Sequence, residues 1–575
     1  MDEKSQSAQT RVILRSRKHR RRWQLALAGV LIGLATFRSF APVRQDSLTP
    51  IPSITKYTYA GESIEWEDCG HLGNGRPLEC STINVPMDQF SRERSGDKTF
   101  SIPLIRLRGH RATQNLVLNP GGPGGSGIEF MYRMGEHLST IVGEDFHLLA
   151  FDPRGVNGSK PLALCYPDDE TRRALSPVRD QRVLEDSAEV YAWSTNYVRA
   201  CAETMGEHGK YLNTPQTAAD MNSILDALGQ RDMIYWGFSY GTILGQTYAG
   251  LFPERSRRVI IDGVNNLFDW YGGLLDAEDL VDAEAVFDGF LEECIKAQEH
   301  CPLASFGSSK EALRERILSL ATALRDQPLS VYVNNTVYGL LDDKVLLYDA
   351  IPTALKRPAT WGTLADNLAK WLGGNATEAL LAYGQKKPWS PAGDVNRFVM
   401  LNDGASGPKY WPQDRQTMLE WLVPFINRSI FAPTEHGIYY AKQQWLVPKT
   451  HDYVPAHDVR TAHPLLILTM SYDPVCPLIS ARSAQRTYHG SQIVEVQGYG
   501  HCSTAMPSLC LVRHIRAFLK NGTVPATHTR CKVDGGYFTK PGGRALGTPQ
   551  NMFANVEEQG IYEAQVALGR DWTWP

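Results

Sequence analysis

Short, almost continuously apolar runs alternate along the chain with stretches whose apolar residues recur at helical spacing. The runs are rich in β-branched and aromatic residues and too short to be helices, which is typical of strands buried on both faces. They are Leu116–Leu118, His147–Phe151, Met233–Trp236, Val259–Ile261, Leu465–Met470 and Ile493–Val496. Their alternation with helical patterns predicts an α/β fold, with a mostly parallel sheet and helices on both faces.

One helix is predicted in detail between two of these runs. Its apolar positions share one helical face and are Met221, Ile224, Leu225 and Leu228. Thr217 and Asp220 have the polar character expected of a capping box at its start, and Gly229 predicts its end. The helix leads directly into the strand Met233–Trp236.

Strand signals become sparse between residues 265 and 460, where helical sequence predominates. We therefore expect a helical lid, 265–460, inserted between a first core segment, 65–264, and a second, 461–535, with a tail at 536–575. Seven of the 13 tryptophans lie in this lid: Trp270, Trp361, Trp371, Trp389, Trp411, Trp421 and Trp445. They indicate either an aromatic substrate pocket or the ordinary packing of a helical subdomain.

The amino-terminal residues have the basic-then-apolar order of an export signal. Residues 1–22 are basic, residues 23–41 are mostly apolar, and residues 42–64 have the polar, Pro-containing composition of a stalk. The long basic leader favours an uncleaved signal-anchor, with a cleaved signal peptide and a buried core helix as alternatives. The export signature predicts a protein of the secretory pathway, either single-pass with an exoplasmic catalytic domain or secreted. For the anchored form, the positive-inside rule keeps the basic end in the cytosol and places the chain after about residue 42 on the exoplasmic side.

Charge and cysteine content agree with this compartment. The net charge of −3 provides no strong field for nucleic acid, so we expect no such partner, and membrane contact only through the amino-terminal segment. Close cysteine pairs without zinc spacing predict disulfides rather than a metal site: Cys69 with Cys80, Cys294 with Cys301, and Cys510 with Cys531. Glycosylation sequons occur at Asn157, Asn334, Asn375, Asn427 and Asn521.

The pentapeptide Gly237-Phe238-Ser239-Tyr240-Gly241 matches the G-x-S-x-G pattern of a nucleophilic serine. A predicted strand runs directly into it, and Gly241, Gly245 and Ala249 place small residues on one face of the helix that follows. Such a strained turn exposes the serine hydroxyl and needs glycines on either side, because larger side chains would collide with neighbouring backbone. Ser239 is therefore the candidate nucleophile.

A serine hydroxyl needs a base to remove its proton and a carboxylate to orient that base. Asp473 follows the strand Leu465–Met470, and His501 follows the strand Ile493–Val496. Both positions lie beyond the carboxyl ends of strands, where α/β sheets present functional groups. We therefore predict a Ser239, Asp473 and His501 triad. Cys476 and Cys502 lie next to the two partners, and a disulfide between them is a further hypothesis.

The glycine-rich segment from Leu118 to Gly127 follows another strand and is predicted to supply amide donors to an oxyanion. Gly121 or Gly122 provides one donor and Tyr240 the other. The alternative is a phosphate-binding loop, but the segment lacks the Lys-Ser/Thr ending of such loops. Asp152 and Arg154, which end a further strand, are expected to brace a loop rather than react. The mechanism requires no metal or organic cofactor.

The Gly121–Gly127 loop, the Asp152–Gly155 segment, the Gly237–Thr242 turn, Asp473-Pro474-Val475 and Gly500-His501 together resemble the prolyl iminopeptidase and tripeptidyl aminopeptidase-like (TAP-like) branch of the α/β-hydrolases, across residues 65–535. The resemblance implies an exopeptidase that removes amino-terminal residues. It also implies a helical lid that binds the free amino group through acidic side chains, among candidates such as Asp276, Glu278, Asp279 or Glu284. Pro120 departs from the pattern, because prolyl iminopeptidases usually carry His there.

Three functions are consistent with these residues. The first is a serine hydrolase that cleaves amide bonds at peptide amino termini. The second is an esterase or lactonase acting on a small metabolite, and the third is a catalytically silent binding module on the same fold. The intact triad argues against the third, whereas the choice between a peptide and a small-molecule substrate stays open, as does the oligomeric state.

Overall fold

The computed structural model describes residues 62–175, 183–272, 278–385, 392–432, 438–538 and 553–572. The predicted amino-terminal signal-anchor and most of the predicted stalk lie outside these residues. Among the described helices, none combines the length and the apolar character needed to span a bilayer.

Within the described residues, ten strands form one sheet, in the order β1-β2-β3-β5-β4-β6-β7-β10-β11-β12. The strands of the described residues are β1 (Glu67–His71), β2 (Pro77–Pro86), β3 (Thr99–Leu107), β4 (Asn115–Asn119), β5 (His147–Phe151), β6 (Met233–Phe238), β7 (Ser256–Asp262), β8 (Leu329–Asn334), β9 (Val337–Leu341), β10 (Leu466–Tyr472), β11 (Gln492–Tyr499) and β12 (Thr529–Lys532). Strands β1 to β3 pair antiparallel, and every pair from β5 through to β12 is parallel.

The six strands predicted from the sequence are β4, β5, β6, β7, β10 and β11, and they are neighbours in the centre of the sheet. Their residues are buried almost throughout, because helices cover both faces. The predicted α/β fold with a mostly parallel sheet is confirmed. The additional strands β1, β2, β3 and β12 lie towards the two edges, where burial alternates and the apolar signal is weaker.

The α-helices of the described residues are α1 (Arg92–Ser95), α2 (Gly127–Val142), α3 (Asp169–Leu175), α4 (Val183–Gly209), α5 (Thr214–Ala227), α6 (Tyr240–Leu251), α7 (Leu267–Gly272), α8 (Ala283–Ala297), α9 (Lys310–Asp326), α10 (Ile351–Leu355), α11 (Trp361–Leu372), α12 (Thr377–Tyr383), α13 (Ala392–Asp403), α14 (Arg415–Ile426), α15 (Ile438–Gln444), α16 (Leu478–Thr487), α17 (Leu509–Asn521) and α18 (Val556–Asp571). Short 3-10 turns and a π-helical turn, Val345–Ala350, connect some of them.

The helix predicted in detail is α5, but its capping residues differ from the prediction. Asn213 is the N-cap, and its side chain accepts a hydrogen bond from the Gln216 amide at 3.0 Å. Asp220 lies inside the helix and binds the buried Arg154 instead, with Nε donating at 2.7 Å. The predicted box was wrong because the helix extends one turn further back than its apolar stripe. Gly229, at φ 64°, ends the helix as predicted.

Helices α7 to α15 form an insertion between β7 and β10, which are adjacent in the sheet. Helices α8 to α12 of the insertion have an apolar core of their own, whereas α13 to α15 pack into a core that they share with the sheet. The insertion also contains a hairpin, β8–β9, that the sequence analysis did not anticipate. Helix α4 packs on α14 and α15, so residues before β6 extend the same helical layer. The boundaries 265 and 460 remain a prediction.

Five described tryptophans of the insertion are buried, and Trp421 is 51% exposed. The buried ones are Trp270, Trp361, Trp371, Trp411 and Trp445. Packing of the helical insertion therefore accounts for most of its tryptophans.

Candidate active site

Ser239 lies in the sharp turn between β6 and α6, with φ 55° and ψ −123°. A non-glycine residue in this region carries strain that persists only when its surroundings fix it. The flanking glycines are required as the sequence suggested. A Cβ at Gly237 would lie 2.4 Å from the Gly241 carbonyl oxygen, and one at Gly241 would lie 2.9 Å from the Asn119 carbonyl oxygen. The turn therefore holds the hydroxyl in one place.

The structure brings the three predicted triad residues together. His501 Nε2 lies 2.9 Å from Ser239 Oγ, and His501 Nδ1 lies 2.9 Å from Asp473 Oδ1 and 3.0 Å from Oδ2. The Asp473 side chain is fully buried, and that of His501 is 2% exposed. With Nδ1–H donating to Asp473, Nε2 carries the lone pair that faces the serine, which is the tautomer required of a base.

Asp473 is held by backbone amides as well as by the imidazole. The Val475 and Cys476 amides donate to Oδ1 and the Cys502 amide donates to Oδ2, each at 2.9 Å. Charge-assisted hydrogen bonds of this kind compensate a buried carboxylate for the loss of water. The loops after β10 and β11 therefore meet at this carboxylate through their main chains.

The hypothesis of a Cys476–Cys502 disulfide is wrong, because both cysteines are free thiols. Cys476 Sγ donates to Asn265 Oδ1, and Cys502 Sγ contacts the Asp262 carbonyl oxygen at 3.3 Å. The two loops are joined at Asp473 rather than by sulfur. Burial raises the pKa of both thiols well above its usual range, so they stay protonated at neutral pH.

The glycine-rich loop lies against the serine turn. A Cβ at Gly121 would lie 2.4 Å from the Phe238 carbonyl oxygen and 3.0 Å from Ser239 Cβ, so only glycine fits. The Gly121 amide donates to Asn119 Oδ1 at 3.0 Å, whereas the Gly122 amide has no acceptor among the described residues. The Tyr240 amide begins α6 and has no intrahelical partner. Gly122 and Tyr240 are therefore the better pair of candidate oxyanion donors.

The Tyr240 side chain links the serine turn to the insertion. Its hydroxyl lies 2.6 Å from Thr214 Oγ1, which donates to Asp403 Oδ2 at 2.5 Å. Trp270 Nε1 donates to the same oxygen at 2.8 Å. Burial raises the pKa of Asp403, on α13, to about 6. No local pattern predicted this network, because its members are far apart in the chain.

Asp152 and Arg154 brace loops, in agreement with the sequence analysis. Asp152 accepts from Ser126 Oγ at 2.7 Å, from the Gly158 amide at 3.0 Å and from Asn157 Nδ2 at 3.1 Å. Arg154 pairs with Asp220 in a salt bridge whose side chains are each 1% exposed. Neither residue directly contacts the triad through a hydrogen bond.

Asp262 is a buried acid near the triad that the sequence analysis missed. It accepts from the Ser503 amide and hydroxyl, each at 2.7 Å, and its own carbonyl accepts from the Ser239 amide at 3.0 Å. Burial, and to a smaller degree the charge of Asp473, raises the pKa of Asp262 to about 6. Its position immediately after the predicted strand Val259–Ile261 is the signal that would have found it.

Acidic residues at the start of the insertion lie near this centre. Burial, and then the charge of Asp473, raises the pKa of Asp282 to about 6. Burial, and then the charge of Glu278, raises the pKa of Asp269 to about 6 as well. Glu278 accepts from Ser480 Oγ at 2.6 Å, and the charge of Asp279 acts on the buried Cys476.

Another candidate lid acid, Glu284, is placed differently. Glu284 forms an ion pair with Arg314 and also accepts from the Ile430 amide at 3.2 Å, so it serves the packing of the insertion. Asp276 lies outside the described residues. Asp269 and Asp282 were not among the predicted lid acids, because nothing in their local sequence distinguishes them from the other acids of the insertion.

Four disulfides are present, and they include the three predicted pairs Cys69–Cys80, Cys294–Cys301 and Cys510–Cys531. The fourth joins Cys165 to Cys201 across 36 residues, which is too far for pairing by proximity in sequence. Disulfides are typical of an extracytoplasmic compartment. His514 lies beside Cys510 and Cys531, but their disulfide removes both thiolates from metal binding.

The asparagines of all five sequons are exposed: Asn334, Asn375, Asn427, Asn521 and Asn157. The Asn157 amide nitrogen, however, donates to Ser126 Oγ and to Asp152, so it is already engaged in bracing its loop. The first four therefore remain the better candidates for glycosylation.

Comparison with known proteins agrees with the α/β fold of the structure. A model of the alpha/beta hydrolase fold matches residues 114–298, and one of TAP-like proteins matches residues 437–531. Tripeptidyl aminopeptidase of Streptomyces lividans is 27% identical over 499 residues, covering 82% of this chain and 87% of its own. Serine protease Hip1 of Mycobacterium tuberculosis (strain ATCC 25618 / H37Rv) is 28% identical over 499 residues, covering 82% and 91%.

Carboxylesterase B of Mycobacterium tuberculosis (strain CDC 1551 / Oshkosh) is 25% identical over 480 residues, covering 79% of this chain and 86% of its own. Along most of its length the chain is thus similar to some enzymes named as peptidases and to another named as an esterase. It has the alpha/beta hydrolase fold, carries a carboxyl-terminal segment similar to TAP-like proteins, and is a serine hydrolase.

Proposed function

We propose that the chain is an aminopeptidase-like serine hydrolase that cleaves amide bonds at peptide amino termini through an acyl-enzyme on Ser239. The observation that carries the proposal is the continuous relay from Asp473 through both nitrogens of His501 to Ser239 Oγ, with each step at 2.9 Å. Such a relay makes a weakly acidic alcohol an effective nucleophile.

The chemistry follows from the positions of these groups. Ser239 Oγ attacks the substrate carbonyl while its proton moves to His501 Nε2, and Asp473 stabilises the imidazolium that forms. The amides of Gly122 and Tyr240 are aimed at the oxygen on which negative charge develops. The attack forms a tetrahedral intermediate. Its collapse breaks the amide bond, and His501 gives the proton that it took from Ser239 to the leaving amine. Water, deprotonated by His501, then releases the acyl group.

Selection of a free amino terminus rests in this proposal on the acids that begin the insertion. Asp269, Glu278 and Asp282 are partly buried, and burial strengthens their attraction for an ammonium group. Asp269 lies close enough to Glu278, and Asp282 to Asp473, for the charges of each pair to interact. A substrate α-ammonium that entered this region would relieve the repulsion between these carboxylates. The tripeptidyl aminopeptidase name of one relative supports a peptide substrate.

A panel of reporter substrates tests the proposal. Purified protein is offered aminoacyl and tripeptidyl amides, the same amides with an acetylated amino group, and short-chain esters. We expect turnover of the free-amine amides, little turnover of the acetylated ones, and loss of all turnover in Ser239→Ala. Turnover of esters alone would support the esterase function that the carboxylesterase name of another relative suggests. Activity that persists in Ser239→Ala would exclude both functions.

Glu278→Gln separates recognition of the amino group from the chemical step. Removal of this charge is expected to raise KM for free-amine amides, with little change in kcat and no change for esters. Glu299→Gln, which removes an exposed charge on a 3-10 turn of the insertion, is the matched control. Equal effects on amides and esters would contradict a role of Glu278 in binding the amino group.

A further inference from the structure

Helix α18 lies outside both segments matched by the family models, yet it packs directly behind the catalytic groups. Its side chains Ile561, Tyr562, Ala564 and Leu568 are buried in the same apolar core as Trp236 and Phe238 of β6. The helix lies against α2, which follows the glycine-rich loop, and against the turn Ser503–Ala505, which follows His501. It therefore contacts the elements on both sides of the proposed reaction centre.

Trp572, directly after α18, supports the turn that carries Ser239. Its ring centroid lies 4.6 Å from that of Phe238, in an edge-to-face arrangement, and 4.8 Å from that of Phe130 on α2. Phe238 is completely buried and immediately precedes Ser239 in the chain. A strained backbone such as that of Ser239 persists only where its surroundings fix it, and the Trp572 ring is one of the contacts on the residue before Ser239.

Gly569 supports the loop that carries His501. A Cβ at this position would lie 2.9 Å from the Ala505 carbonyl oxygen and 3.3 Å from that of Thr504. Gln565 adds two hydrogen bonds to the backbone of Ser508, accepting from its amide at 3.3 Å and donating to its carbonyl at 3.4 Å. The distance between helix and loop is therefore set by direct contact with main-chain atoms.

Two arginines fix the end of the helix. Arg133 of α2 donates to the Asp571 carbonyl oxygen at 2.6 Å, and Arg357 of the insertion donates to the Arg570 carbonyl oxygen. These carbonyls belong to the last turn, whose acceptors have no partner within the helix. The end of α18 is thus bound both to the core and to the insertion.

We infer that α18 is a positioning element of the active site, in which Trp572 holds the Ser239 turn and Gly569 sets the position of the loop after His501. The inference rests on the proposed function, because it requires Ser239 and His501 to be the reacting pair. Reacting groups displaced by about 1 Å lose roughly 100-fold in rate. Small changes at the two contact points of α18 therefore lower kcat, although neither residue touches substrate.

Two glycines of the same helix provide a matched test. Gly569→Ala adds a methyl group against the loop after His501, whereas Gly560→Ala adds one in open space. We expect Gly569→Ala to lower kcat about 10- to 100-fold at unchanged KM, and to slow inactivation by a fluorophosphonate by the same factor. Gly560→Ala is expected to keep kcat, with Tm unchanged or raised, because alanine favours helix.

Trp572 provides a second test that does not depend on the first. When assayed well below its melting temperature, Trp572→Ala is expected to show a lower kcat and slower inactivation by the fluorophosphonate. Trp572→Phe is expected to restore most of the kcat and most of the inactivation rate. Phe518→Ala removes a completely buried aromatic ring of the same core, on α17 beside His463, and controls for loss of stability alone.

The outcomes separate the inference from the proposed function. If Gly569→Ala and folded Trp572→Ala both keep kcat within about twofold while Ser239→Ala is inactive, the inference is overturned and the proposed function stands. Equal losses in Phe518→Ala and Trp572→Ala, without rescue by Trp572→Phe, would also overturn it. Activity that persists in Ser239→Ala would instead remove the proposed function.

Discussion

Replacing Asp473 by asparagine tests the proposed catalytic centre directly, because the substitution keeps the shape of the side chain and removes its charge and one acceptor. Four donors converge on this carboxylate at 2.9 to 3.0 Å: His501 Nδ1 and the amides of Val475, Cys476 and Cys502. An amide side chain has one acceptor oxygen, so its NH2 must face some of these donors.

The arrangement of the donors decides which way the asparagine points. Two backbone amides meet Oδ1, so the asparagine oxygen satisfies most donors there. Its NH2 then takes the place of Oδ2, 3.0 Å from His501 Nδ1 and 2.9 Å from the Cys502 amide, and of these two only Nδ1 can become an acceptor. The NH2 then donates a hydrogen bond to Nδ1, so the imidazole proton moves to Nε2. A protonated Nε2 can no longer accept a proton from Ser239. In a Ser-His-Asp triad the wrong tautomer costs about 10⁴-fold in kcat. The buried Cys502 amide loses its acceptor, which costs about 1–3 kcal/mol of stability.

Steady-state kinetics on the best reporter substrate measures the effect, with calorimetry to show that the variant is folded. We expect kcat to fall by about 10⁴-fold with little change in KM, and Asp452→Asn, at an exposed acid, to behave as the parent. A folded Asp473→Asn variant that retained about a tenth of the parental kcat or more would refute the assignment of Asp473 as the group that orients the base.

Three further predictions follow from the surroundings of the triad. Gly121→Ala places a Cβ 2.4 Å from the Phe238 carbonyl oxygen and is expected to lower kcat by about 10²-fold or more. The control Gly70→Ala, at a similar positive φ in open space, is expected to keep activity. Equal activity of the two variants would contradict the close approach of the glycine-rich loop to the serine turn. Alkylation of unfolded, unreduced protein is expected to modify the two cysteines Cys476 and Cys502, and peptide mapping that finds both unmodified would show a disulfide instead. Burial raises the pKa of Asp262 from 3.8 to about 6, so the folded state binds more protons than the unfolded state between these values, and stability falls as pH rises through that window. Urea unfolding should therefore show Asp262→Asn gaining on the parent by roughly 2–3 kcal/mol between pH 3.5 and pH 7, and a difference that is constant with pH would contradict the raised pKa.

The central strands were predictable because a strand that is buried on both faces has apolar residues at nearly every position. The triad candidates were predictable for a related reason, since each one follows such a strand and parallel strands end at the same edge of the sheet. The same rule applies to Asp262, which the sequence analysis passed over. The capping of α5 by Asn213 was missed because the apolar stripe gives the buried face of a helix and not its first turn.

By itself, the sequence determined the α/β architecture, the strained serine turn and the residue types of the proposed relay, because these depend on periodicities and spacings within a few residues. Only the tertiary structure decided that Cys476 and Cys502 stay reduced, that Cys165 pairs with Cys201, and that α18 packs behind the serine turn. These contacts join residues that are distant in the chain, and each is selected by how completely the folded core fills space, which no local pattern records.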